Sequence, residues 1–167
     1  AGAAAADVAF VEDACRSTLY PSICNRSLSR YASAIKHSRR RLIGAAIGVS
    51  LERSRSVKAF LGRLAGVPNL RPRECAAVRD CLEMAAGGSD LIGKSMREIR
   101  FLWDPRSPEF EFHVSNVLTW LSAALTDETT CLDGFSGRGF NATLASMIRV
   151  RVTKLAKVTS NALALCN

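Results

Sequence analysis

Residues 119–135 read TWLSAALTDETTCLDGF, and the character of the chain changes twice within them. Trp120, Leu121, Ala124 and Leu125 fall on one face at helical spacing. Asp127, Glu128, Thr129 and Thr130 then make a polar last turn, and Cys131 anchors the end. Asp133-Gly134-Phe135 reads as a turn, with Gly134 free to take the positive φ that stops a helix. A helix terminus pinned by a cysteine and surrounded by Thr, Asp and Glu presents a rigid, hydrogen-bonding surface.

Working outward, Ser107-Pro108-Glu109 supplies an N-cap, a proline at the first helical position and an early acid, so this helix is expected to start there. Phe110, Val114 and Val117 continue its stripe. Beyond it, Gly137-Arg138-Gly139 reads as a loop. Phe140, Leu144, Met147, Ile148, Val152, Leu155, Val158, Ala162 and Leu165 line a last helix. Upstream, Pro72 opens a helix whose stripe is Cys75, Val78, Leu82, Ala85, Ser89, Ile92, Met96, Ile99 and Trp103, stepping by three and four. Gly87-Gly88 interrupts it, which suits close packing against a neighbour. Before that, Ser38 caps a helix along Leu42, Ala45, Val49, Arg53, Ser56, Phe60 and Leu64, ended by Gly66-Val67-Pro68.

Ahead of these four helices, Val8, Val11 and Cys15 sit on a short helix that turns at Thr18-Leu19-Tyr20-Pro21 and returns through Ser22 to Ser29. No segment sustains an alternation of period two. The expected fold is all-α: one domain over 1–167, with an N-terminal helical hairpin at 1–36 and an up-down-up-down four-helix bundle at 37–167.

That topology constrains the six cysteines. Cys15 and Cys24 lie nine positions apart and are expected to bridge the hairpin turn, which is too small to have its own core. Cys81 can reach Cys131 across the bundle, and closing that loop should contribute about 3 to 5 kcal/mol by chain entropy. Cys75 and Cys166 fall towards opposite poles and are expected to stay unbridged within one chain. Cys75 then acts as a small buried hydrophobe, and Cys166 is free or links two molecules.

Composition excludes several functions. The longest nearly apolar run, Leu42 to Leu51, is too short to span a bilayer, so no membrane role is expected. The Ala-rich start suits the flank just after a removed leader. Asn25-Arg26-Ser27 and Asn141-Ala142-Thr143 are glycosylation sequons, and with the cysteines they point outside the cell. The net charge of +8 comes without any nucleic-acid-binding motif; Arg39-Arg40-Arg41 reads as a solvated helix start, or as a contact for an acidic polymer such as a uronic-acid polysaccharide. No metal cluster, phosphate loop or nucleophile with its base is present, so no cofactor, metal or enzymatic activity is expected. His37 and His113 read as structural, and Met84, Met96 and Met147 as core or flank residues. The surface that remains near one pole consists of Glu83 and Asp90 on the second bundle helix and Thr130 and Asp133 at the end of the third. Such a preorganised helical face suits recognition of a protein.

Four motifs in order, Cys15-x-x-Thr-x-Tyr-Pro-x-x-Cys24, Arg79-Asp-Cys-Leu-Glu83, SNVLTWLSAALTDETTCLDGF at 115–135 and TSNALAL at 159–165, resemble the plant pectin methylesterase inhibitor family over almost the whole chain. The resemblance implies the same hairpin and bundle, with the same two cysteine pairs. It further implies a secreted protein of the apoplast and cell wall that blocks the substrate cleft of pectin methylesterase in a one-to-one complex, with Glu83, Asp90, Thr130 and Asp133 as contacts. Gly87 stands where the family often has an acid, which bears on affinity or on the choice of esterase. Invertase inhibitors share the fold but carry Pro-Lys-Phe where this chain has Pro108-Glu109-Phe110, so invertase is the less favoured partner. A pro-region ahead of an esterase domain is disfavoured by a chain that stops after its last helix. A carrier or pectin-binding module, attracting acidic pectin through basic patches, is the remaining alternative.

Overall fold

Proline, capping residues and apolar spacing divide the chain into helices, and the computed structural model describes residues 2–137 and 139–167. The elements are α1 (Gly2–Cys15), α2 (Pro21–Leu28), α3 (Ala32–Ile35), α4 (Arg39–Ala65), α5 (Pro72–Glu98), α6 (Phe110–Asp133) and α7 (Ala142–Cys166), with 3-10 turns at Ser29–Tyr31 and Ile99–Phe101. Among the described residues there is no strand. Helices α4 to α7 pack as a square, each against its two neighbours in the order α4, α5, α6, α7 and back to α4. The smaller helices α1, α2 and α3 lie against α4 and α7. They cover that side of the bundle and leave the α5/α6 side open.

The caps follow from the side chains present. The Ser38 hydroxyl accepts from the Arg41 N–H at 3.3 Å, and Asn141 Oδ1 accepts from the Leu144 N–H at 3.1 Å. Pro72 occupies the first turn of α5, and Glu74 Oε1 accepts from the Arg71 N–H at 3.1 Å. Its other oxygen accepts from the Asn141 N–H at 2.8 Å. One carboxylate thus serves the starts of α5 and α7, helices on opposite corners of the square. These two backbone bonds, the Asn141 one foremost, hold the Glu74 carboxyl below its usual range against the effect of burial.

The core has two apolar halves. In one, Val11, Cys15 and Leu28 of the small helices pack with Leu42, Ile47, Ile92, Val117, Leu121 and Leu165. In the other, Phe60, Leu61, Val78, Phe135, Ile148 and Leu155 pack around Cys81 and Cys131. A buried polar layer joins them: Thr159 donates to Glu128 Oε1 at 2.8 Å, and its oxygen lies 2.7 Å from the Ser50 hydroxyl. Cys15–Cys24 and Cys81–Cys131 are closed, while Cys75 and Cys166 are free and half-buried.

Several expectations are corrected. Helix α6 begins at Phe110 rather than at Pro108, because the Ser107 hydroxyl bonds the Glu109 carboxylate at 2.7 Å and Phe110 N–H closes a turn onto the Ser107 carbonyl. Gly134 does not take a positive φ. It continues the helical backbone at φ −62°, and Phe135, 1% exposed, plugs the bundle end. Glu128 is not part of a polar last turn but 4% exposed. The buried face of α4 runs through Ile43, Ala46, Ile47, Ser50, Ser54 and Val57, so Arg53 and Ser56 lie outside it. Trp103 and Met147 are exposed, and Cys75 is only half-buried. The arginine triplet is not simply solvated: Arg39 donates to the Leu165 carbonyl at 3.0 Å, and the Arg40 guanidinium stacks 3.3 Å above Trp103. The return limb of the hairpin breaks after Leu28 into a 3-10 turn and α3. The loop expected at Gly137-Arg138-Gly139 has Gly139 at φ 97°, while Arg138 lies outside the described residues.

Candidate functional site

The α5/α6 side is built by close approach. Cys81 and Cys131 bring the two backbones to a Cα–Cα distance of 4.7 Å. Further along, Gly88 is buried, and a Cβ placed on it would lie 3.7 Å from the Ala124 carbonyl oxygen. A side chain larger than one methyl group would not fit without parting the helices, so the packing reason expected for the glycine pair applies to Gly88. Gly87 faces outward, and Asp127 Oδ2 lies 3.5 Å from where its Cβ would be. Two helices fixed at two points form a stiff surface whose exposed groups keep their spacing.

All four expected contact residues are exposed. Glu83 and Asp90 stand seven positions apart, two helical turns on one stripe of α5. Asp90 borders a groove of about 720 Å³ between α4 and α5, with Arg55, Lys58 and Arg97 on its other walls. Thr130 and Asp133 end α6 beside the disulfide. The Thr130 hydroxyl donates to the Thr126 carbonyl at 2.7 Å, which fixes its rotamer and leaves its lone pairs facing outward. Among the described residues, the carboxylates of Glu83, Asp90 and Asp133 have no hydrogen-bonded or ionic partner. Thr130 and Asp133 stand at the end of α6 beside the bridge to α5, whereas Asp90 faces the α4/α5 groove, and among the described residues none of the four bonds another.

Spacing did not single out two further features. Asp127 is a half-buried carboxylate without a partner among the described residues, at the seam over Gly87; burial pushes its pKa up. Lys94 of α5 reaches across to the Trp120 ring of α6, 5.9 Å from its centroid, so Trp120 closes the outer seam and is only partly buried. Charge also separates by helix. Helix α6 carries four acids and no Lys or Arg, whereas α7 carries four basic residues and no acid, and α4 seven basic residues against Glu52. Helix α5 is mixed, with five acids against Arg73, Arg79, Lys94 and Arg97, so the net negative charge of the open side comes mainly from α6, while the side facing the small helices is basic.

Nothing in this surface resembles a catalytic centre. His37 pairs with Asp7 at 2.9 Å and stacks on Phe10, and His113 pairs with Glu98 at 2.5 Å and stacks on Phe101. Each imidazole joins neighbouring elements of the fold. Among the described residues there is no group of His, Cys, Asp and Glu fit to hold a metal ion, and no helix is long and apolar enough to cross a membrane.

The family model described as plant invertase/pectin methylesterase inhibitor matches residues 9–165. Pectinesterase inhibitor 9 of Arabidopsis thaliana is 43% identical over 161 residues, covering 95% of this chain and 79% of its own. A 21 kDa protein of Daucus carota is 42% identical over 158 residues, covering 95% and 82%. Pectinesterase inhibitor 11 of Arabidopsis thaliana is 40% identical, covering 95% and 79%. Among solved structures, the crystal structure of mutant form A of a pectin methylesterase inhibitor from Arabidopsis matches with a TM-score of 0.71 at 18% identity over 92% of each chain, a likeness of fold.

Proposed function

We propose that this chain, which belongs to the plant invertase/pectin methylesterase inhibitor family, is a proteinaceous inhibitor of pectin methylesterase and not an enzyme. It acts as a single inhibitor domain over 1–167, with the hairpin at 1–36 serving the bundle at 37–167. It binds the esterase one to one through the α5/α6 side and denies pectin access to the substrate cleft. What supports this reading is the stiff, disulfide-pinned side left uncovered by the small helices, where the carboxylates of Glu83 and Asp133 are exposed without internal partners, Thr130 is exposed beside the bridge, and Asp90 lies at the edge towards α4. Carboxylates already free of internal bonds accept donors from a partner without first breaking bonds of their own, and a rigid helix pair loses little entropy on docking.

Asp127 over Gly87 adds a carboxylate to the same seam from the neighbouring helix. Invertase is the less favoured target, since Pro108-Glu109-Phe110 places an acid at the start of α6 where the invertase inhibitors have a lysine. The two disulfides and the exposed Asn141 sequon fit a secreted protein of the apoplast and cell wall. The net charge of +8 adds a weaker, salt-dependent attraction to acidic pectin.

The test is a titration of methanol release by purified plant pectin methylesterases with the recombinant protein, with an invertase assay alongside. Loss of esterase activity reaching its end point at one equivalent, with invertase unaffected, is the expected result. Full esterase activity in the presence of excess protein, across several plant enzymes, would overturn the proposal.

A further inference from the structure

Two adjoining grooves run along the basic side of the bundle. One, of about 360 Å³, lies between α2, α4 and α7 and is walled by Arg26, Arg30, Arg53 and Lys154. The next, of about 460 Å³, lies between α4 and α7 and is walled by Arg53, Arg151 and Lys154. They share Arg53 and Lys154, so the two form one strip. No carboxylate lines either groove. None of the five cations has an ion-pair partner among the described residues; Arg30 and Arg151 lie over the rings of Tyr31 and Phe60. Between the cations the walls are Val49, Val57, Val150 and Val158, with the hydroxyls of Ser27, Ser56 and Ser146.

We infer that this strip binds a linear polyuronide, a polysaccharide whose sugar rings carry free carboxylates. Guanidinium and ammonium groups in a row neutralise successive carboxylates and release their counterions, valine walls take the apolar faces of sugar rings, and the serines meet ring hydroxyls. The choice of polymer rests on the proposed inhibitor function. Hydrolysis of each pectin methyl ester by water gives methanol and a carboxylic acid, which ionises, so the polymer an active esterase leaves behind is such a polyanion. The strip lies on the opposite corner edge from the α5/α6 side, since α4 and α7 carry it and the small helices flank it. Polymer and esterase therefore occupy different sides of one molecule, and the inhibitor collects where de-esterification has already taken place.

The test uses the full chain with de-esterified polygalacturonate as probe, and with fully methyl-esterified pectin and duplex DNA as comparisons. The expected results are salt-sensitive binding to polygalacturonate, none to esterified pectin, and an affinity weakened about ten-fold by Arg53→Ala with Lys154→Ala. Arg63→Ala with Arg79→Ala removes the same charge elsewhere and should change affinity less than about two-fold. Equal weakening by the two double variants would reduce the effect to net charge and overturn the strip, as would wild-type binding by the Arg53/Lys154 variant. DNA bound as tightly and lost in the same variant would make the strip a nucleic-acid site instead. Esterase inhibition, assayed on the same preparations, separates the two proposals. Inhibition kept by the Arg53/Lys154 variant supports separate sides. Polymer binding by a wild-type protein that inhibits no esterase would sink the inhibitor function while leaving the strip in place. Failure of polymer-bound protein to capture esterase would show that the two sites overlap.

Discussion

Glu128 Oε1 accepts a hydrogen bond from the Thr159 hydroxyl at 2.8 Å inside the bundle, while Glu128 Oε2 is buried with no partner among the described residues. Burial drives the pKa of this carboxyl up to about 8, with the nearby Asp127 charge adding to the rise and the Thr159 bond opposing it. The folded-state value lies above the unfolded one, so the stabilisation is full below the ordinary carboxyl range and is lost as pH rises towards 8. The upper bound of that loss is about 5 kcal/mol. Melting temperature should fall from pH 5 to pH 8, and Glu128→Gln should flatten this slope whatever its effect on the absolute value. Glu74 and Glu98, held low by their hydrogen bonds, titrate below this window. An unchanged slope in the variant would assign the dependence to other groups.

The Cys81–Cys131 bridge closes a 50-residue separation between the helices of the open side. Replacing both with alanine should cost about 3 to 5 kcal/mol by the chain-entropy model and lower the melting temperature by roughly 10 °C. Inhibition should weaken at temperatures where the variant is still folded, because the α6 terminus is no longer tied to α5. Peptide mapping without reductant should find only the two bridges. The Cys166 thiol, its pKa pushed up to about 12 by burial, should resist alkylation at pH 8 until the protein is unfolded.

Thr130 and Asp133 are exposed, so removing their side chains costs the fold little. Thr130→Ala should raise the inhibition constant several-fold, the effect of a neutral hydrogen bond of about 1 kcal/mol. Asp133→Ala should raise it by about ten-fold or more, as for a charge-assisted bond. Circular dichroism and melting curves should stay close to wild type. If both variants inhibit as the parent does, the contact surface lies elsewhere.

Gly88 has room for one methyl group and no more, with its nearest neighbour the Ala124 carbonyl oxygen at 3.7 Å. Gly88→Ala should hold or gain stability, by up to about 1 kcal/mol from helix propensity. Gly88→Leu should part α5 from α6 and cost about 1 to 3 kcal/mol as overpacking. Equal stability of the two variants, measured by denaturant titration, would show that the seam is looser than these distances imply.

The two sequons differ in what their asparagines already do. Asn141 is exposed at the start of α7, and its capping bond uses Oδ1, leaving the amide nitrogen free for a sugar. Asn25 lies within α2 one residue after Cys24, with Oδ1 buried and unpaired. Expression through a plant secretory pathway should give glycan at Asn141 and little at Asn25 by mass spectrometry. Occupancy in the reverse order would contradict this.

The helices and both bridges were legible because they depend on local chemistry: the prolines at 21 and 72, the Ser38 cap, and cysteines brought together by an up-down topology. The stripe on α4 was less so, since Ser50 and Ser54 are buried while Ala45 and Val49, which look more apolar, are only half-buried. Ser50 enters the core there because the Thr159 hydroxyl receives it, a partnership spread over 109 positions. Glu128 continues the steps of four and three that run through Val117, Leu121, Ala124 and Cys131, so its position points inward, and only its charge argues for the surface. Of the candidate site, family motifs supplied the four residues. The place of Asp127 over Gly87 and the division of charge between the two sides depend on which helices neighbour each other, which a linear pattern does not record.

The Glu74 carboxylate has a consequence for alignment along the bundle axis. Apolar seams of alanine, valine and leucine tolerate sliding, because a helix shifted by one turn, about 5.4 Å, presents a similar ridge to its neighbour. A carboxylate bonded at once to the backbone at Arg71 and at Asn141 does not tolerate it: any slip of α7 past α5 strands a shielded oxygen. The stagger of the two diagonal helices is therefore gauged by a carboxylate, whereas apolar packing governs their lateral spacing.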